Sequence, residues 1–160
     1  PAGLRDSKKL SAARRAVLSD IIFVSAAVSI AQCSVAEIDQ LNILQASMLA
    51  MRRAVEGLDK RPDFALIDGN CVPTGLLCPA ESVIKGDDIS CSIAAASIVA
   101  KVFRDRLMVD LAQQFPGYGW ETNAGYGTKQ HRRALKALGV TPHHRVSFKP
   151  IHNILYQENN

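Results

Sequence analysis

Asp68 closes a short apolar run, Phe64-Ala-Leu-Ile-Asp-Gly69, which places a carboxylate at the carboxyl end of an expected buried strand, where α/β sheets present ligands. Ser97, Lys101 and Asp105 recur at every fourth position of an expected long helix, Ile93 to Phe115, and so share one line of its surface. The adjacent line, Ile98, Val102, Val109 and Ala112, is apolar. The polar row either faces solvent, with Lys101 and Asp105 as a weak surface pair, or lines a site. Crowded carboxylates cost free energy, and a divalent cation is the usual reason to assemble them. Two such cations suit phosphodiester hydrolysis, one activating water and the other steadying the departing oxygen. Asp68 and Asp105 alone are fewer ligands than a two-metal site normally uses.

Gly125-Tyr126-Gly127 sets an aromatic ring between flexible residues, just ahead of a basic segment. Such a tyrosine could stack on a sugar or base and meet a 2′-hydroxyl, the group that distinguishes RNA from DNA; it could equally pack on the core. Asp87-Asp88, after Gly86, reads as a turn, because adjacent residues of a strand or turn point different ways. His143-His144 reads as a phosphate contact or an exposed pair, since neighbouring histidines rarely chelate one ion.

Positioning these groups requires alternating elements. Ser11 to Leu18 is an expected short helix, and Ile21 to Ala31 is apolar and β-branched enough to read as a strand. Ser34-Val-Ala-Glu37 matches a capping box. One helix should follow, with Leu41, Leu44, Met48, Met51, Val55 and Leu58 as its core stripe. Beyond Arg61-Pro-Asp lie the strand ending at Asp68, a short strand over Glu81 to Lys85, the long helix, a loop over Gly119 to Gly127, a helix over Lys129 to Leu138, an irregular basic segment and a last short helix from about Ile151. The pattern is α/β, without internal repeats or a linker that would divide two domains.

The 160 residues, 48% hydrophobic and 21% charged, can bury a real core. Apolar stretches fall short of the roughly 18 to 20 residues of a membrane helix, so no membrane partner is expected. Cys33, Cys71, Cys78 and Cys91 form no C-x-x-C pair and read as reduced, buried thiols, which suits a cytoplasmic protein. The net charge of +4 is uneven: residues 1 to 19 hold five Lys or Arg against one Asp, and Lys129 to Lys149 hold six against no acid. A polyanion could bind these ends; ordinary solvated helix faces are the plainer alternative. The opening residues carry no apolar signal core and no initiating Met, and read as the middle of a protein.

In order along the chain, these patterns resemble those of bacterial type 2 ribonuclease H, the ribonuclease HII family. The matching blocks are Gly3-Leu-Arg-Asp-Ser-Lys-Lys-Leu-Ser11, Glu37-Ile-Asp-Gln-Leu-Asn-Ile-Leu44, Leu66-Ile-Asp-Gly-Asn70 with Val83-Ile-Lys-Gly-Asp87, Ala95-Ala-Ser-Ile-Val-Ala-Lys-Val-Phe-Arg-Asp-Arg106, Gly125-Tyr126 with Thr128, and His144-Arg145 with Ser147-Phe148. The resemblance implies a ribonuclease H-like fold, a mixed sheet flanked by helices, with a basic and helical C-terminal segment. It also implies a site of four carboxylates holding Mg²⁺ or Mn²⁺, of which Asp68 and Asp105 would be two. Tyr126 would meet the ribose, Lys8, Lys9, Arg145 and Ser147 would bind substrate, and Ser97 and Lys101 would support the site. The substrates implied are RNA/DNA hybrids and single ribonucleotides embedded in duplex DNA, cut to leave a 3′-hydroxyl and a 5′-phosphate.

Members of that family begin with a strand ending in Asp-Glu, followed by Gly-Arg-Gly, which gives two ligands and the backbone groups that read the 2′-hydroxyl. Nothing like it occurs here, and Asp6 is no substitute. The expectation is therefore one ribonuclease H-like domain over residues 1–160, truncated at its N-terminus, monomeric when intact and prone to self-association when truncated. Gly127, where the family commonly has Pro, should loosen the tyrosine loop. The competing expectation is a non-catalytic nucleic-acid-binding remnant that keeps the basic ends and Tyr126.

Overall fold

The structure is a computed structural model that describes residues 2–156. Helix α1 spans Ala12–Ser25, and the Ser11 hydroxyl caps it by accepting from the Arg14 N–H at 3.2 Å. The expected strand over Ile21 to Ala31 does not form, because the helix runs through its first half. β-Branched residues cost a helix only tenths of a kcal/mol each, about the range of ordinary propensities, and packing outweighs that. Leu18 and Ile22, four apart, bury one stripe against Ile98 and Val99, while Val24 is 91% exposed. An alternating strand would have buried Ile22 and Val24 alike.

Helix α2, Val35–Leu41, begins with the expected capping box: the Ser34 hydroxyl takes the Glu37 N–H and the Glu37 carboxylate takes the Ser34 N–H. The single long helix expected here is two, since α3 starts anew at Ile43–Glu56. Asn42 makes the break. It adopts a positive φ of 68°, and its side-chain oxygen accepts from the N–H groups of Leu44 and Gln45, which caps α3. The stripe divides accordingly: Met51 and Val55 pack on the strand that follows, while Leu41 and Leu44 are exposed.

Strands β1, Ala65–Asp68, and β2, Ala80–Val83, pair in parallel with Asp68 opposite Val83. Ala65 and Ile67 are buried against Met51, Val55 and Cys78, whereas Leu66 and Asp68 on the other face are exposed. A short helical turn, α4 (Gly86–Ile89), follows. Gly86 gives room there, because a Cβ would make the tip of the Ile93 side chain shift. Helix α5 runs over Cys91–Gln114. The expected loop over Gly119 to Gly127 contains a helical turn, α6 (Trp120–Asn123). Helix α7, Lys129–Leu138, has Thr128 as its cap and stops at Gly139, and α8 is Lys149–Tyr156. The class is α/β, as expected. Among the described residues no helix is long and apolar enough to cross a membrane.

The chain packs as two compact units. One holds the described residues up to Gln32 together with Ser47–Phe103; the other holds Cys33–Ala46 together with the described residues from Arg104 onward. The first has two apolar clusters, around Leu18 and Ile98 and around β1. The second has one, built from Met108, Tyr118, Trp120, Ala134, Leu135 and Ile151. All four cysteines are free, but of these only Cys78 is buried; Cys71 and Cys91 lie at the surface, against the expectation of buried thiols.

His144 belongs to the second unit's interior. Its ring lies 5.1 Å from both Tyr118 and Trp120 and stacks on His131 at 5.3 Å. Its Nδ1 accepts from the Thr141 N–H at 3.0 Å, so the proton sits on Nε2, which is buried without a partner among the described residues. Neither exposure nor phosphate contact, the sequence expectation for this residue, holds for His144; His143 beside it is exposed.

Two outcomes follow from this packing. Leu18→Ala should cost about 2–5 kcal/mol in urea unfolding and Val24→Ala less than about 0.5 kcal/mol, the opposite of what an alternating strand would give for this segment. Burial, with a lesser contribution from neighbouring His131, lowers the His144 pKa from 6.5 to about 4. The unfolded chain therefore takes up a proton that the folded chain refuses. This contribution to stability is complete above pH 6.5 and is lost as pH falls toward about 4. An NMR titration should place the His144 midpoint near 4, and a midpoint near 6.5 would contradict the buried neutral ring.

Candidate functional site

In the first unit, Asp68 ends β1 on its exposed face, and one carboxylate oxygen, Oδ1, accepts from the Gly86 N–H at 2.9 Å. The Gly69 N–H continues the ladder to the Val83 carbonyl at 3.1 Å. Strand end and helical turn are thus tied together around the carboxylate. Gly69 has φ 118°, a conformation that a side chain would strain, and it lets the chain turn away immediately beyond Asp68.

Asp87 and Asp88 open α4 rather than lying in a plain turn. Partial desolvation and the negative charges of Asp6, Asp68 and Asp88 raise the Asp87 pKa, with Lys8 opposing them. Acidic groups therefore gather around Asp87. Asp88 has a cation of its own, the Lys9 Nζ, at 2.6 and 2.8 Å from its two oxygens. That hydrogen bond, set against some desolvation, raises the Lys9 pKa. Lys8 is exposed. Both lysines ride on a 3₁₀ turn, Ser7–Lys9, which Asp6 caps and which buried Ser7 anchors by a 2.9 Å hydroxyl contact with Ser97 on α5.

The polar row of α5 is half-buried at Ser97, Lys101 and Asp105 alike, which disfavours a simple solvent-facing row. Ser97 and Lys101 belong to the first unit and Asp105 to the second.

In the second unit, Tyr126 is 73% exposed, so packing on the core is excluded. Its loop is nonetheless well built. Buried Asn123 donates to the Tyr118 carbonyl at 2.9 Å and accepts from the Gly125 N–H at 2.8 Å, and the Tyr126 N–H returns to the Asn123 carbonyl at 2.8 Å. Arg104, exposed on α5, lies beside it, with a guanidinium nitrogen 3.2 Å from where a Gly125 Cβ would stand. Burial lowers the Arg104 pKa; nearby Tyr126 and Asp105 oppose that shift and Arg145 adds to it.

Arg145 lies over the Phe148 ring, 5.4 Å from its centroid. The Phe148 ring edge in turn lies 3.8 Å from where a Gly127 Cβ would stand, an ordinary contact that a side chain could make. Ser147 gives both its donors, the N–H and the hydroxyl, to Asp39 of α2, and the Val146 N–H adds a third bond to that carboxylate at 2.9 Å. Desolvation opposes ionisation of Asp39, but the bonds from Ser147 and Val146 and the charge of Arg145 outweigh it and lower the pKa.

Reading the sequence missed three of these residues: Asp39, Asp88 as the partner of Lys9, and Arg104 beside Asp105. Their only local signal was position, Asp39 and Arg104 inside the blocks that carried the family resemblance and Asp88 one residue beyond such a block. Among the described residues no three His, Cys, Asp or Glu side chains converge to hold a metal ion. Asp68 and Asp105 are hard oxygen donors of the type Mg²⁺ and Mn²⁺ prefer, but the described donors do not by themselves make a closed metal site.

A family model described as Ribonuclease HII matches residues 1–151. Ribonuclease HII of Ruegeria pomeroyi is 72% identical over 158 residues, which cover 99% of this chain and 68% of that protein. Ribonuclease HII of Roseobacter denitrificans is 60% identical over 160 residues, 100% of this chain and 81% of that one. The crystal structure of ribonuclease H2 from Pyrococcus horikoshii superposes with a TM-score of 0.79 over 99% of this chain and 83% of that chain; at 20% identity it speaks to the fold. With a matching family model over nearly its whole length, relatives this similar and the same fold, the chain belongs to the ribonuclease HII family.

Proposed function

We propose that the chain forms the body of a divalent-metal-dependent endonuclease that hydrolyses the RNA strand of RNA/DNA hybrids and cuts at single ribonucleotides embedded in duplex DNA. The observation that carries this reading is Asp68. Its carboxylate is exposed at a strand's carboxyl end and held by the Gly86 amide through one oxygen, inside a family whose members are named for ribonuclease activity. Asp68 and Asp105 would each give oxygen ligands to Mg²⁺ or Mn²⁺. The metal, when bound, supplies an activated water and a counter-charge for the departing oxygen, so that hydrolysis leaves a 3′-hydroxyl and a 5′-phosphate.

The remaining work belongs to side chains already in place. Tyr126, exposed on a loop stiffened by Asn123, offers its ring and hydroxyl to the ribose of the ribonucleotide. Lys8, Lys9 and Arg145 neutralise backbone phosphates, with Lys9 exchanging Asp88 for phosphate as substrate arrives. Ser97 supports the site by anchoring the lysine turn, and Lys101 shares its helix line with Asp105. Two carboxylates are fewer ligands than this chemistry uses. Cleavage in this reading therefore draws on further carboxylates, such as the Asp-Glu pair of the family's first strand.

Incubating an RNA/DNA hybrid with Mg²⁺ or Mn²⁺ tests this. The chain preceded by the Asp-Glu, Gly-Arg-Gly strand should cut, and the bare chain should not. Asp68→Asn or Asp105→Asn in the active version should lower the rate roughly 10³-fold, about 4 kcal/mol of transition-state stabilisation. Hybrid binding without cleavage by either version would instead identify a nucleic-acid-binding remnant.

A further inference from the structure

Asp39 has no role in the nuclease reading above, yet three hydrogen bonds tie it to a turn 107 and 108 residues further along the chain. It sits in the last turn of α2, half-buried, and its two oxygens receive the backbone N–H groups of Val146 and Ser147 at 2.9 and 3.0 Å as well as the Ser147 hydroxyl. A carboxylate on a turn of a basic segment would ordinarily weaken that segment's attraction for phosphate. Here its charge is already matched by three donors. The same bonds set the direction in which the turn leaves His144, whose own ring is buried in the aromatic core.

We propose that Asp39 is a positioning residue that holds the Arg145–Phe148 turn so that Arg145 points its guanidinium at a substrate phosphate while Phe148 backs the Tyr126 loop. The proposal deepens the nuclease reading and rests on it. With its N–H and hydroxyl both given to Asp39, Ser147 holds the turn rather than donating to phosphate. Arg145, lying across the Phe148 ring, is left as the turn's phosphate contact. The Phe148 ring also lies beside Gly127, 3.8 Å from where a Cβ would stand there and one residue from the exposed tyrosine.

The sign of the effect separates positioning from net charge. Removing a negative charge from a basic protein should tighten its hold on a polyanion; losing the posture of Arg145 should weaken it. The test measures binding of a short fluorescein-labelled RNA/DNA hybrid by anisotropy in EDTA over a range of salt. The proteins compared are the wild-type chain, Asp39→Ala, Asp39→Asn, Arg145→Ala and the Asp39→Ala/Arg145→Ala double variant.

The proposal expects Arg145→Ala and Asp39→Ala each to weaken binding about tenfold and to lower the slope of log affinity against log salt by about one, with the double variant no worse than either. Asp39→Asn keeps the side chain's size and one acceptor oxygen, so it should fall between wild type and Asp39→Ala with an unchanged melting temperature. Wild-type or tighter binding by Asp39→Ala, beside a weakened Arg145→Ala, overturns the role of Asp39 and leaves the interface reading intact. So does an Asp39→Ala variant that loses thermal stability but keeps the wild-type salt slope and multiplies the effect of Arg145→Ala. Wild-type binding by Arg145→Ala removes the phosphate contact itself, and the positioning role falls with it.

Discussion

Helix α5 gives buried side chains to the core of each unit. Ile98 and Val99 are buried in one and Met108 in the other, each worth about 1.5–3 kcal/mol on full burial, so the rotation of the helix about its axis is set by packing. The polar groups on its surface inherit that rotation. Ser97 meets the Ser7 hydroxyl and so locates the lysine turn in the first unit, and in the second Arg104 lies beside Gly125 of the tyrosine loop. Asp105 follows in the next position.

Electrostatically, carboxylates keep the basic groups in order. Lys9 rests on Asp88 and the Arg145 turn rests on Asp39, while Asp68 spends one oxygen on the Gly86 amide. The Lys9–Asp88 pair is exposed and so contributes little to stability, which suits the proposed exchange of Asp88 for a substrate phosphate. The Asp39 bonds are of another kind: two of their three donors are backbone groups, and they constrain the course of the chain itself. Acidic residues thus shape a surface whose overall sign is positive.

What could be read beforehand was whatever depends on near neighbours. The Ser34–Glu37 capping box, the Lys129–Leu138 helix closed by glycine and the strand ending at Asp68 all formed, because each is specified within a few residues. The ordered blocks that resembled ribonuclease HII pointed to the family that the chain belongs to. The misreadings came from tertiary context. Ile21 to Ala31 has strand composition, but the first core asked for helical spacing at Leu18 and Ile22. The stripe from Leu41 to Leu58 gave no sign that Asn42 would turn to positive φ and start a second helix. Asp39 and its turn are 107 residues apart in sequence, and no local pattern announces such a bond. The burial of His144 likewise depends on Tyr118, Trp120 and His131 arriving around it.

The central claim is that carboxylates direct a hydrolysis, and the ends of the broken strand report on that most directly. The measurement is mass analysis of the products from a DNA duplex containing one ribonucleotide, cut by the chain carrying its Asp-Glu segment. The account predicts a 3′-hydroxyl and a 5′-phosphate, with solvent oxygen incorporated into the phosphate. A 2′,3′-cyclic phosphate would contradict it, because that product requires attack by the ribose hydroxyl instead of water.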